Sequence, residues 1–169
     1  MDAIRSSAIE LLLATTPEHL TIREIAEHAD VAHVCIPQYF GGKADLFADI
    51  FATVASEAAQ AFTWPAKPAA GIRPELLRLA RLALWLSANH PDGVPDGPRP
   101  LASRLKAFLV ERYRLDDRTA ALIVERLIGL VLVFAGAPTA VSRAPIDLAA
   151  HIELEFRILE ALSRDAQRD

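Results

Sequence analysis

Apolar residues recur along this chain at intervals of three and four, and the strict alternation that marks a strand is absent. Ile4, Ala8, Leu11 and Leu12 fall on one stripe of a first helix running from about Asp2 to Thr15, which Pro17 helps to end. LTIREIA follows, the clearest local signal in the chain. Thr21 is placed to cap a helix and Glu24 stands three residues on, the spacing of a capping box, while Leu20 and Ile25 are placed as its hydrophobic staple. A short helix is therefore expected from Thr21 to His28 or Ala29. A tight turn at Asp30–Val31 comes next, then a short segment from Ala32 to Phe40, then Gly41 and Gly42. From Lys43 the positions Leu46, Phe47, Ile50, Phe51, Val54, Ala58 and Phe62 predict a long amphipathic helix.

Residues 63–73, TWPAKPAAGIR, read as a linker, and Pro74 suits the first position of a helix reaching His90. PDGVPDGPRP is too proline-dense for regular structure. Leu101–Tyr113 reads as helix. Asp116 or Asp117 caps another that runs to about Ala135 and ends at Gly136 and Pro138, and Pro145 opens a final helix to about Ser163. The fold class expected is all-α: a three-helix N-terminal domain over residues 1–45, joined by a long helix to a helical bundle, the two together making a second domain over residues 46–169.

Composition agrees. Of 169 residues 52% are hydrophobic but only 7% aromatic, a balance that suits Ala/Leu-rich helices and not a β-sandwich. Cys35 is the single cysteine, which excludes an internal disulfide framework and a Cys-rich zinc module. MDAIRSSAIELLLA is no secretory signal, and the longest apolar stretch, Leu127 to Pro138, is short of a membrane span, so a cytoplasmic protein is expected. The formal net charge of −4 predicts no affinity for nucleic acid by itself. Divided by segment it is more pointed: residues 1–57 carry three basic side chains, Arg5, Arg23 and Lys43, against nine acidic ones, and the rest of the chain is slightly basic.

Two short helices joined by a tight turn, with Ile22, Ile25, Ala26, Ala29, Val31 and Ile36 able to pack across it, suggest a helix-turn-helix unit that presents its second helix to a DNA major groove. The stretch Thr21–Phe47 resembles the DNA-binding signature of the tetracycline-repressor (TetR-like) family of bacterial regulators, through Thr21, Ile25, Ala26, Ala29, Val31, Ile36, Tyr39, Phe40, Lys43 and Leu46. The resemblance implies a homodimeric, ligand-responsive repressor with operator DNA as partner and a helical ligand and dimerisation domain.

The departures from that pattern are informative. Asp30 stands where the family has a turn glycine, Ala32 where a polar cap is expected, and Val34 where a second glycine is usual. Pro37 replaces a phosphate-contacting tyrosine. If the recognition helix starts after Ala32, Pro37 is its fifth residue and its absent N–H would have bonded the His33 carbonyl, an interior proline costing about 3 kcal/mol. A kinked, frayed or partly 3₁₀ helix is thus expected, and the acidic N-terminal third predicts weakened binding to phosphate. The candidate DNA-facing residues are Thr21, Arg23, His33, Cys35, Gln38, Tyr39 and Lys43; Gln38 has the chemistry to pair bidentately with adenine. The alternative reading is a dimer of the same fold that has lost specific DNA binding and works through ligand or protein contacts.

In the second domain, Trp85, Asn89, His90, Phe108 and Phe134 are the candidate effector-lining residues, and the uncharged run from Leu127 to Thr139 points to a small apolar effector. The last two helices are apolar over a wide arc. Leu148, Ile152, Phe156 and Leu159 form one stripe of the final helix, and Leu154, Ile158 and Leu162 another. A helix apolar on two sides must bury both, which predicts a two-fold homodimer with Ile123, Leu127, Leu130, Val131, Ile152, Phe156 and Leu159 at its interface and Gly129 and Gly136 allowing close approach. His28, His33 and Cys35 match no zinc spacing. With no phosphate loop, nucleophile elbow or carboxylate pair at meaningful spacing, no enzyme activity, metal or cofactor is expected.

Overall fold

The computed structural model describes residues 1–60, 74–93, 100–136 and 147–165. Among them are eight α-helices and no strand: α1 (Asp2–Ala14), α2 (Ile22–His28), α3 (Cys35–Phe40), α4 (Lys43–Gln60), α5 (Pro74–Asn89), α6 (Pro100–Tyr113), α7 (Asp117–Gly136) and α8 (Leu148–Asp165). The linker expected at 63–73, Phe62, most of the loop before α6, and Pro145 lie outside the described residues.

The chain divides into two units. The first contains α1 to α3, α4 as far as Ala55, and α5 from Arg78 onward with the short 3₁₀ turn Pro91–Gly93. The second contains the remaining ends of α4 and α5 with α6, α7 and α8.

In the first unit each helix contributes apolar residues to one core, α1 and α4 through their predicted stripes. Ile4 and Ala8 come from α1, Ile25 and Ala26 from α2, Ile36 from α3, Leu46, Phe47 and Ile50 from α4, and Leu82 and Leu86 from α5. The start of α2 is built as its spelling requires. Thr21 Oγ1 accepts from the Glu24 amide (3.2 Å), Glu24 Oε2 accepts from the Thr21 amide (2.8 Å), and Leu20 and Ile25 are both buried. The Glu24 carboxyl is consequently held below the usual carboxylate range, first by the Thr21 hydroxyl and then by its amide.

The second core gathers Leu109 and Tyr113 of α6, Ala120, Val124 and Leu127 of α7, and Leu148, Ile152, Phe156 and Leu159 of α8. Asp116 caps α7, accepting from the amides of Arg118 and Thr119 and from the Thr119 hydroxyl. Asp147, two residues later than the expected Pro145 start, caps α8 through the Ala149 and Ala150 amides. By length and composition α7 would also reach across a bilayer, the one such helix among the described residues. Of its twenty residues only Ala120, Val124, Leu127 and Ala135 are buried within the chain.

Candidate nucleic-acid interface

The turn between α2 and α3 works with aspartate in place of glycine. Asp30 takes a left-handed conformation (φ 52°), and around it the Val31 amide reaches the Ala26 carbonyl (3.0 Å) while the Asp30 amide reaches that of Glu27 (3.2 Å). This is the Schellman pattern, which consumes the last carbonyls of α2. Among side chains with a Cβ, the short polar ones enter this region at least cost.

The recognition helix differs from the expectation in its starting point, and that changes the meaning of Pro37. α3 begins at Cys35 with Val34 as its cap, not after Ala32. Ala32 to Ile36 is a tight turn whose amides bond three residues back, Cys35 to Ala32 (2.9 Å) and Ile36 to His33 (3.4 Å). Pro37 is therefore the third residue of the helix, where an amide has no intrahelical acceptor to reach. The His33 carbonyl that Pro37 cannot engage is taken by Ile36 instead. The Gln38 amide then bonds Val34 (3.2 Å) and the Gly41 amide bonds Pro37 (3.0 Å), so the α-helical turn is intact. The expected 3₁₀ character is present, confined to the turn ahead of α3, and the 3 kcal/mol interior penalty does not arise. The missing polar cap remains missing: Val34 makes no side-chain cap hydrogen bond.

At the other end, Gly41 has φ 94°, and a Cβ there would stand 2.8 Å from Asp45 Oδ2. Glycine is thus favoured by the left-handed backbone, while the Asp45 carboxylate could swing aside from an added Cβ.

The three cations of this region have different settings. Arg5 is committed inward: Nε and Nη2 donate to the two carboxylate oxygens of Asp49 (2.5 and 3.1 Å), Nη1 donates to Asp2 (3.1 Å), and the guanidinium lies 5.5 Å from the Phe40 ring centre. Lys43 is half-buried, its Nζ 5.4 Å from the Phe47 ring and 5.1 Å from the Trp85 ring, and this burial pulls its pKa below the usual lysine range against the opposing pull of Glu18 and Glu24. Arg23 is exposed at the start of α2 and makes no salt bridge among the described residues.

Of the DNA-facing residues read from sequence, Thr21, Arg23, His33, Gln38 and Tyr39 are exposed. Cys35 is half-buried and packs against the first core. Three further exposed residues of this segment, Ala32, Val34 and Pro37, are departures from the family pattern.

Residues 4–50 match the family model of the bacterial regulatory proteins, tetR family. The N-terminal domain belongs to the tetR family. No curated protein matches the chain. Among solved structures, the chain is similar to the TetR family repressor AlkX from Dietzia sp. strain DQ12-45-1b, implicated in biodegradation of n-alkanes, with 15% identity, a TM-score of 0.46, and coverage of 98% of this chain and 94% of that one. Within the matched residues α2 and α3 form the helix-turn-helix, and α3 carries the exposed Pro37, Gln38 and Tyr39.

The five effector candidates fall into two groups. Trp85, Asn89 and His90 belong to the first unit: Trp85 meets Phe47 edge to face (5.2 Å), Asn89 donates to the Trp85 carbonyl (2.8 Å), and His90 Nε2 lies 3.3 Å from Asp45. Phe108 and Phe134 belong to the second, where Phe108 meets Tyr113 and Phe134 meets His151. The second unit has an open groove of about 330 Å³ between α7 and α8, lined by Arg126, Leu127, Gly129, Leu130, Val133, Phe134, His151 and Glu155. Gly129 meets nothing within 4 Å among the described residues, so the close approach it was expected to allow is not made by them.

The interface candidates also separate. Leu127, Ile152, Phe156 and Leu159 are buried in the second core, and Ile123, Leu130 and Val131 are half-buried against it. The outward apolar side chains are Leu122 and Val133 of α7 and Leu154 and Ile158 of α8. Leu154 and Ile158 are the second stripe of the final helix; the side chain of Leu162 lies outside the description.

Proposed function

We propose that this chain is a DNA-binding transcriptional regulator of the cytoplasm, acting as a ligand-responsive homodimeric repressor. The observation that carries the reading is the TetR domain over residues 4–50 with its recognition helix unbroken by Pro37. Thr21, His33, Cys35, Gln38 and Tyr39 are assigned to the DNA face, with Arg23 and Lys43 as its phosphate-facing cations. Lys43 is held in place by two aromatic rings, which supports a pre-set contact.

Dimerisation is supported by the outward apolar stripes of α7 and α8 together with the small share of α7 that its own chain buries. Two such helix pairs packed across a two-fold axis make a four-helix interface and give one operator half-site to each recognition helix. A small apolar effector is proposed for the helical second domain, with Phe108 and Phe134 in contact. Trp85, Asn89 and His90, at the end of α5 and against the start of α4, are proposed to relay its arrival by shifting the balance between two dimer states of different DNA affinity.

The test is a fluorescence-anisotropy titration against the duplex flanking the chain's own gene at several salt concentrations, with sedimentation of the free protein alongside. Saturable, sequence-specific binding by a dimer is expected. Failure to prefer that duplex over an unrelated one even at low salt overturns the repressor reading, and a monomer overturns the two-reader mechanism.

A further inference from the structure

The recognition segment is uncharged in the most acidic third of the chain. From Val31 to Gly42 no Asp, Glu, Lys or Arg occurs, although nine acids crowd residues 1–57. The geometry of α3 sorts what remains. Ile36 is fully buried and Phe40 packs against the core, so they define the inner face. At about 100° per residue, Val34 and Gln38 lie one turn apart on the opposite face with Pro37 beside them. All three are exposed, Val34 to 56%.

We propose that this face reads A·T pairs, with Val34 and Pro37 packed on thymine 5-methyl groups and Gln38 on the adenine edge of an adjoining pair. The inference rests on the DNA-binding reading above and gives it a base preference. In the major groove guanine is read chiefly by Arg or Lys at O6 and N7, and cytosine by Asp or Glu at N4. The face offers neither. At its centre it offers an amide, whose donor and acceptor match adenine N6 and N7, and two apolar surfaces, which match the only apolar group on a base edge, with the exposed Tyr39 and His33 at its margins. The cations are consistent with this: with Arg5 bound to Asp49 and Asp2, phosphate contacts are few and base contacts carry a larger share of the affinity.

The experiment uses the full chain with random-sequence duplexes, selected for binding at low salt. The enriched half-site is expected to hold A·T pairs beneath α3. Each thymine of that site is then replaced by deoxyuridine, which removes the methyl group and nothing else. A contacted thymine is expected to lose affinity about fourfold on replacement, the worth of one buried methyl-sized group. Val34→Ala, at an exposed position, is expected to weaken the thymine duplex and to shrink the thymine–uracil difference. A G·C core, or equal affinity for thymine and uracil sites, overturns the thymine reading while leaving DNA binding intact. A pool that yields no enriched sequence overturns both.

Discussion

The ammonium of Lys43 stands 5.1 Å from the centre of the Trp85 ring, so a cation at the start of the helix that follows the recognition element is positioned by an aromatic residue forty-two positions later. Arg5 has an equally specific setting on Asp49. The salt dependence of DNA binding should register the difference. If Arg23 and Lys43 each meet one phosphate per protomer, a dimer neutralises about four, and log K should fall with log salt with a slope of about −3.6. Arg23→Ala or Lys43→Met should each bring the slope to about −1.8, whereas Arg5→Met should leave it unchanged. Trp85→Leu should weaken binding without altering the slope, because it frees the ammonium rather than removing it. Anisotropy titrations over a salt series measure all four.

Pro37 lies in the first turn of α3 and withdraws no bond from it, so Pro37→Ala should change stability by less than about 1 kcal/mol in chemical denaturation. Gln38→Pro, one residue on, deletes the bond to the Val34 carbonyl and should cost about 3 kcal/mol. A large gain from Pro37→Ala would mean that the proline strains the helix after all.

The same residue shows where sequence reading stops. The capping box at Thr21 and Glu24, the left-handed Asp30, and the stripes of α1, α4 and α8 follow from short-range chemistry, and the structure has them where the pattern places them. The start of α3 does not follow, because with no Ser, Thr, Asp or Asn between Val31 and Gln38 nothing local marks the cap. The partners of Arg5 and Lys43 were equally illegible. Asp49 lies forty-four residues from Arg5, and Trp85 forty-two from Lys43, so only packing shows that one cation is bound inward and the other held on rings. For α7 and α8 the pattern established that two sides are apolar but not which side faces inward, and α6 decides that by packing against one of them.

Stability should fall on the acid side through two caps. The Glu24 carboxyl is held below its ordinary value near 4.5 by Thr21, and the Asp116 carboxyl below its ordinary 3.8, chiefly by the Thr119 hydroxyl and then by its amide. A carboxyl depressed in the folded state contributes stability that is complete above its unfolded pKa and is lost as the pH drops through its folded one. Melting temperature should therefore decline below about pH 4.5, and Glu24→Gln should flatten the first part of that decline. Thr21→Ala should remove the box at all pH values, at about 1 kcal/mol. Melts across a pH series separate the two variants.

Two residues on the same helix give the strongest test of assembly. Phe156 is 2% exposed and Leu154, two positions earlier, is 51% exposed, so they occupy different sides of α8. Charge placed on the inner side must unfold the second core, since an arginine there has no partner and no water. Charge placed on the outer side meets solvent in the isolated chain and is resisted only if a second copy covers it. Leu154→Arg with Ile158→Arg should therefore keep the helical circular dichroism of the unaltered protein while sedimentation shifts to the monomer. DNA affinity should fall with it, because each recognition helix then binds without its partner. Phe156→Arg should lose helical signal outright. A double variant that remains dimeric would place the interface elsewhere, while one that unfolds would show that α8 needs its outer side within the single chain.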